Sequence, residues 1–134
     1  MREFIVEADG GSRGNPGPAG YGAVVIDAAT GETLAERAEY IGVATNNVAE
    51  YRALLRGVEL AAAHGGTELD LVGDSELVVK QMKGQYKVKD ATMRELNAEV
   101  KAALRPFESW SIRHVRRAEN ADADRLVNQA LDGG

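Results

Sequence analysis

The sequence predicts an α/β fold: a mixed five-stranded sheet with helices packed on its faces. Three observations carry that prediction. Strand-like and helix-like patterns follow one another as βββαβααβα, a meander and then crossover units. The turn Ala28-Ala29-Thr30-Gly31 is too short for a crossover, so its strands run antiparallel, whereas the fourth strand is reached through a helix and lies parallel to its neighbour. A content of 44% hydrophobic and 28% charged residues is ordinary for a globular chain, and 134 residues suit one domain with its own core.

Each element has a local reason. Glu3 to Asp9 is rich in β-formers and reads as the first strand. Gly10 to Gly22 follows, with six glycines and two prolines, and reads as a long loop. Tyr21 to Asp27 is the second strand and Glu32 to Ile41 the third. Thr45-Asn46-Asn47 supplies helix-capping side chains, and the helix it opens runs to about Ala63, before His64-Gly65-Gly66. Thr67 to Gly73 is the fourth strand, Asp74 to Met82 a short helix, and 90 to 104 a longer helix that Pro106 ends. Phe107 to Arg116 is the fifth strand, and Asn120 to Leu131 the closing helix.

Composition excludes several functions. There is no cysteine, hence no disulfide scaffold, no thiolate metal site and no cysteine nucleophile. That fits a reducing cytosol. No apolar stretch approaches a membrane span, and Met1-Arg2-Glu3-Phe4 runs into a strand pattern with no signal peptide ahead of it. Net charge is −5 but unevenly spread. Lys80 to Arg117 holds ten basic and four acidic residues, a balance of +6, so the rest of the chain carries −11. Four of the five lysines (Lys80, Lys83, Lys87, Lys89) lie within ten residues. Such a run is either a solvated surface or a footprint for a polyanion.

Four carboxylates are placed where carboxylates are costly or useful. Asp9 and Asp74 end strands 1 and 4, and ligands of mixed α/β sheets collect at the carboxyl ends of parallel strands. Glu50 shares a helical stripe with Leu54, Val58 and Ala61, and Asp124 shares one with Val127 and Leu131. A carboxylate on a core-facing stripe must be paired or bound to a cation. Convergence of the four would suit a hard divalent cation such as Mg²⁺, which takes oxygen ligands. Structural alternatives stand beside this. Asp74 could cap a helix, Asp9 could serve its turn, and Asp124 could pair with Arg117 or Arg125.

The glycine stretch joins two strands of a hairpin and matches neither nucleotide-binding glycine motif. Its glycines allow close backbone approach, and Asn15, Asn46 and Asn47 add amides of the kind that read sugar and base edges. His64 closes a helix and reads as structural. His114 sits on the fifth strand and reads from its pattern as a partly buried strand residue.

Asp9-Gly10-Gly11-Ser12-Arg13-Gly14-Asn15-Pro16-Gly17-Pro18-Ala19-Gly20-Tyr21-Gly22 closely resembles the opening motif of type I ribonuclease H. Thr45-Asn46-Asn47-Val48-Ala49-Glu50 resembles that family's second motif, Asp74-Ser75 its third, and Asn120-Ala121-Asp122-Ala123-Asp124 its fourth. Four motifs in order, each bringing its acid, span nearly the whole chain.

The resemblance implies a ribonuclease-H-like sheet in the order 3-2-1-4-5, with strand 2 antiparallel to the rest. It implies an endonuclease that hydrolyses the RNA strand of RNA/DNA hybrids and leaves 5′-phosphate and 3′-hydroxyl ends. Asp9, Glu50, Asp74 and Asp124 would be the catalytic, metal-binding acids for two Mg²⁺ ions, with Mn²⁺ as substitute. Gly10, Gly11, Asn15, Thr45, Asn46 and Asn47 would contact the hybrid, and the minor groove with its 2′-hydroxyls distinguishes RNA from DNA. Many members carry a basic protrusion; here Gly84 to Lys89 is too short for a full one, and Lys87 and Lys89 with their neighbours stand in for it. Many members also have a histidine before the last acid. Counted back without gaps His114 takes that position, whereas the segment Val115-Arg116-Arg117 looks more like a shorter-loop branch in which Arg117 replaces it. The expected setting is a cytoplasmic monomer with no membrane partner. Residues 1–134 form one domain, which in some relatives precedes a phosphatase-like one. The competing expectation is a non-catalytic or repurposed hybrid-binding module on the same fold.

Overall fold

The computed structural model describes residues 2–133. The elements are β1 (Glu3–Ser12), β2 (Gly17–Asp27), β3 (Thr33–Ala44), α1 (Asn46–Ala63), β4 (Glu68–Gly73), α2 (Glu76–Met82), α3 (Ala91–Leu104), β5 (Ser109–His114) and α4 (Ala121–Gly133), the last preceded by a 3₁₀ turn over Arg117–Asn120. The five strands form one sheet in the order β3-β2-β1-β4-β5. β2 runs antiparallel to β1 and β3, while β1, β4 and β5 run parallel. The predicted order and strand directions are those observed. Among the described residues no helix is long and apolar enough to cross a membrane.

The glycine-rich stretch differs from expectation. It is mostly strand: Gly10 pairs with Tyr21, Gly11 with Gly20 and Ser12 with Ala19, which leaves only four residues in the turn. A ladder bonds backbone groups, so glycine does not forbid it, and here glycine is required by what lies above. A Cβ on Gly22 would sit 2.5 Å from the Ala123 carbonyl oxygen and from Leu126 Cβ, so α4 can lie directly on β2. β3 also outruns its predicted end and reaches Ala44 through a register shift beside Gly42. β5 is shorter than predicted because β4 offers it only Glu68 to Gly73 as partners.

The main core lies between the sheet and the helices α1, α2 and α3. Phe4, Val6 and Ala8 of β1 and Leu71 of β4 are fully buried against Ala53, Val58 and Ala61 of α1. Val100 and Leu104 of α3 close the far side. Each such Val or Leu contributes roughly 1.5–3 kcal/mol through burial. α1 approaches the sheet at Gly57, where a Cβ would lie 2.3 Å from Val6 Cγ1. α4 covers the other face alone, through Leu126, Val127 and Ala130. This packing holds the C-terminal ends of β1 and β4 and the N-terminal turns of α1 and α4 together at one end of the sheet.

Candidate active site

β1 delivers Asp9 to that end of the sheet and β4 delivers Asp74, the residue after its last paired position. α1 reaches in from above with Glu50. β1 and α1 meet at Gly10, where a Cβ would lie 2.2–2.3 Å from the Ala49 carbonyl carbon and the Glu50 nitrogen. Only glycine permits that approach, and it puts the Gly10 N–H 2.9 Å from Glu50 Oε2, to which it donates. β4 leaves room in the same way: a Cβ on Gly73 would stand 2.8 Å from Glu50 Oε1.

The three carboxylates converge. Asp9, Glu50 and Asp74 each present an oxygen, and these oxygens lie within 4.8 Å of one another. Asp9 and Glu50 are buried, and Asp74 is half-buried. Glu50 Oε1 is buried without a well-formed hydrogen bond among the described residues. The electrostatics follow from the crowding. Burial first, then the neighbouring charges of Asp74 and Glu50, push the Asp9 carboxyl up to about 9. Burial and Asp74 likewise raise Glu50 to about 8, against the opposing pull of the Gly10 amide. In the absence of a cation these groups hold protons far more tightly than carboxyls in water.

Asp74 does not cap α2. Ser75 does, its Oγ accepting from the Val78 N–H at 3.3 Å, which leaves the Asp74 carboxylate to the cluster. Asp124, on the first turns of α4, lines the same cleft but stands apart from the trio. Arg117 holds it: Nε and Nη2 both lie 3.1 Å from Asp124 Oδ1. Of the two pairings open to Asp124, this one forms, while Arg125 reaches Glu36 instead.

The cleft has a volume of about 650 Å³ and contains all four acids. Gly10, Gly11, Asn46, Asn47, His114 and Arg117 also line it. His114 departs from expectation: it is exposed, with Nε2 3.2 Å from the Asp74 carbonyl oxygen. It holds the last paired position of β5 and lines the open cleft there. Thr45 caps α1 as expected, accepting from Val48 N–H at 3.2 Å. Asn15 Oδ1 accepts from Asn46 N–H, and Asn46 Oδ1 accepts from Ser12 N–H at 2.7 Å, so the turn after β1 is tied to the start of α1. Asn47 Oδ1 accepts from Ser75 Oγ at 3.1 Å, which ties α1 to the Asp74 segment. Thr45 and Asn15 lie outside the cleft lining, and so do Lys87 and Lys89, exposed on the loop between α2 and α3.

Asn120 carries more than its sequence position suggested. It is fully buried, and its Nδ2 donates to the Ala8 carbonyl oxygen at 2.9 Å. That bond pins the start of α4 to β1 one residue before Asp9. A buried asparagine whose partner lies 112 positions away gives no local signal; only its place in the fourth motif marked it.

Residues 7–130 match a family model described as reverse transcriptase-like. The bifunctional protein Rv2228c of Mycobacterium tuberculosis is 51% identical over 130 residues, 97% of this chain and 36% of that protein. The chain thus spans about a third of the length of the first curated relatives it matches. The crystal structure of RNase H1 from Halobacterium salinarum superposes with a TM-score of 0.94 at 44% identity, covering 98% of this chain and 99% of that one. LC11-RNase H1, solved in complex with an RNA/DNA hybrid, gives 0.91 at 44% identity, with 97% of each chain covered.

Proposed function

The chain belongs to the type I ribonuclease H family, and on that premise we propose that it is an endonuclease hydrolysing the RNA strand of RNA/DNA hybrids, with 5′-phosphate and 3′-hydroxyl products. One observation carries the reading: three carboxylates from three elements share a space 4.8 Å across, two of them buried, at the floor of an open cleft. Nothing in the packing requires such a cluster, and its acids are held at a cost in free energy. A LC11 complex with a hybrid, on a chain of the same fold at 44% identity, supports the substrate class.

The donor set fits hard divalent cations. All its ligand atoms are carboxylate oxygens, and Glu50 Oε1 is buried without a well-formed hydrogen bond among the described residues. Asp9, Glu50, Asp74 and Asp124 would hold two Mg²⁺ ions, or Mn²⁺ in their place. Ions bound there supply a water acidified for attack and positive charge opposite the leaving 3′-oxygen.

The chain's own residues do the rest. Gly10 and Gly11 expose backbone at the cleft wall, where a sugar-phosphate strand can approach closely. Asn46 and Asn47, held by the bonds described above, aim amides at the same wall, while Asn15 and Thr45 brace the segment behind them. These amides would meet the 2′-hydroxyls that identify the RNA strand. Arg117 places a guanidinium at the mouth of the cleft, suited to the scissile or product phosphate once Asp124 turns to a cation. His114, exposed in the same cleft lining, is the second candidate for that role. Lys87 and Lys89 would hold hybrid phosphates beyond the cleft. Residues 1–134 would act as one ribonuclease H domain, alone or as the N-terminal domain of a longer protein, in the cytoplasm and monomeric when isolated.

The test is cleavage of an end-labelled RNA/DNA hybrid, with the same RNA in a duplex with RNA and alone. Cleavage confined to the hybrid RNA, abolished by EDTA and restored by Mg²⁺ or Mn²⁺, is expected. Phosphatase and ligation reactions on the fragments identify their ends. Hydrolysis that persists in chelator sinks the metal assignment, and hybrid left intact in Mg²⁺ and Mn²⁺ sinks the activity.

A further inference from the structure

Glu50 and Tyr51 are neighbours on α1 but serve different surroundings. Glu50 looks into the cleft, while Tyr51 is fully buried toward α2 and α3. The Tyr51 hydroxyl donates to Gln81 Oε1 at 2.7 Å and accepts from Asn97 Nδ2 at 3.2 Å. Asn97 also reaches Met82 Sδ at 3.5 Å. With its oxygen engaged, the Gln81 amide turns its nitrogen outward and donates to the Lys87 carbonyl oxygen at 3.4 Å. From α3, Arg94 donates through Nε to the Val88 carbonyl and through Nη2 to the Lys89 carbonyl, each at 3.3 Å.

Three consecutive carbonyls, those of residues 87, 88 and 89, are therefore each met by a side-chain donor from a helix. The amides of Gln85 and Tyr86 return to the Lys80 carbonyl, and Asp90 ends the loop as the cap of α3. The loop has no apolar core of its own, since only Val88 is even half-buried. Its shape is set by these bonds. The lysine side chains of the segment, Lys83, Lys87 and Lys89, are exposed and have no acidic partner among the described residues. A buried tyrosine, glutamine and asparagine are costly in place of apolar residues, and such networks are kept where a unique geometry is needed.

We propose that Tyr51, Gln81 and Arg94 are positioning residues that lock the Lys87–Lys89 loop in fixed register with the carboxylates, and so set where along the RNA strand the cut falls. The inference rests on the ribonuclease reading above. Its logic is that one rigid helix carries both the catalytic Glu50 and the phenol that orients the loop's anchor. Phosphate contacts carry no sequence information but fix the register of a protein on a duplex. A loop free to slide would bind phosphates in several registers and spread the cuts.

The experiment uses Tyr51→Phe, Gln81→Met and Arg94→Lys, which keep bulk or charge while removing the bonds, beside the double variant Lys87→Ala/Lys89→Ala. Each is checked for cooperative thermal unfolding. Hybrid affinity is then measured in EDTA across a salt series, and steady-state constants and cut positions are measured in Mg²⁺ on one end-labelled hybrid of defined length. The three positioning variants should raise KM and Kd about three- to tenfold, the scale of one lost net hydrogen bond, with kcat close to wild type. Their cut positions should spread to neighbouring phosphodiesters. A purely structural role lowers the melting temperature but leaves the cut map of the folded protein unchanged, and that result overturns the proposal. So does wild-type binding in all three variants when the lysine double variant binds weakly, which would leave the loop's phosphate contacts standing. If the double variant too binds and cuts as wild type, the loop does not touch the hybrid and the proposal falls, with the activity itself intact. Wild-type protein that cuts no hybrid fails the functional reading instead.

Discussion

Asp9→Asn should make the metal-free protein more stable, and the gain should grow with pH. The Asp9 carboxyl is buried beside Asp74 and Glu50 and is pushed up to about 9 from an ordinary 3.8. A group whose folded pKa is raised adds its stability in full below the unfolded value and loses it as pH rises through the folded value. Wild-type protein in EDTA should therefore lose stability from about pH 4 to about pH 9. At ~1.4 kcal/mol per unit, the three units traversed by pH 7 set a ceiling of about 4 kcal/mol. Sharing of a proton with the neighbouring acids and relaxation of the cleft reduce that, and about 1–2 kcal/mol is expected near pH 7, an increase of roughly 3–10 °C in Tm for a chain of this size. Asparagine keeps the shape and removes the charge, so its gain is small at pH 5 and largest at pH 8.5. Thermal unfolding followed by circular dichroism in EDTA at the three pH values measures it. Added Mg²⁺ should raise the wild-type Tm and raise that of the variant less, because binding to the folded state alone is what stabilises. A variant no more stable than wild type at pH 8.5, or one whose pH profile runs parallel to it, refutes the claim that buried charge at Asp9 strains the fold.

Four further outcomes are expected. Asp74→Asn should lower the single-turnover cleavage rate by about 10²-fold or more, the scale of lost transition-state charge stabilisation, with the hybrid still bound in a gel-shift assay. Arg117→Ala should reduce turnover about tenfold or more, while His114→Ala, an exposed change, should alter stability by no more than about 0.5 kcal/mol and turnover less than Arg117→Ala does; equal losses in steady-state assays would put both at the phosphate. Lys87→Ala/Lys89→Ala should flatten the salt dependence of hybrid affinity by up to about two units of slope and leave the preference for the RNA strand unchanged, as read by fluorescence anisotropy and product analysis. Gly57→Ala should destabilise by about 1–3 kcal/mol in urea titration, because its methyl would have to displace Val6, whose Cγ1 lies 2.3 Å from the added carbon.

Much of the site could be read before the fold was known, and the reason is local. Asp9 and Asp74 stood at the ends of strands, and Glu50 stood on an apolar helical stripe; each position carries its own signal in a window of a few residues. The sheet order followed the four motifs. What could not be read is set by contacts far apart in sequence. The glycine-rich stretch looked like a loop because glycine is a turn former, yet β2 lies beneath α4 and the ladder continues through it. Asp74 and Ser75 are equally good caps by composition, and only the fold shows that Ser75 takes the role. His114 alternates as a strand residue should, but at the end of β5 it lines the open cleft, so alternation did not produce burial. The Tyr51, Gln81 and Asn97 bonds join residues 30 and 46 positions apart, and each residue alone is an unremarked polar side chain on a helix.

The same packing that hides those bonds also explains how the acids are brought together. Left to their charges, Asp9, Glu50 and Asp74 would separate. They are kept close by approaches made elsewhere: Gly10 against the α1 backbone, Gly73 against Glu50, and Asn120 to the Ala8 carbonyl. Each approach is driven by apolar burial behind it, in the β1, β4 and α1 core on one side and in the α4 seam on the other. The repulsion is therefore offset chiefly by hydrophobic free energy from the whole domain, with bonds inside the cleft such as that from the Gly10 N–H to Glu50 Oε2 adding to it. Two consequences follow from that division. Substitutions in the seam, such as at Ala123 or Leu126, should weaken metal binding without touching a ligand, because they loosen the approach that holds Asp124 and Asn120 in place. Neutralising an acid should do the reverse, tightening the fold while removing the chemistry, which is the trade expected when a site is strained for function. Stability and metal affinity measured together on one seam variant and one acid variant would show opposite signs if the carboxylates are assembled by the core, and the same sign if they are assembled by their own hydrogen bonds.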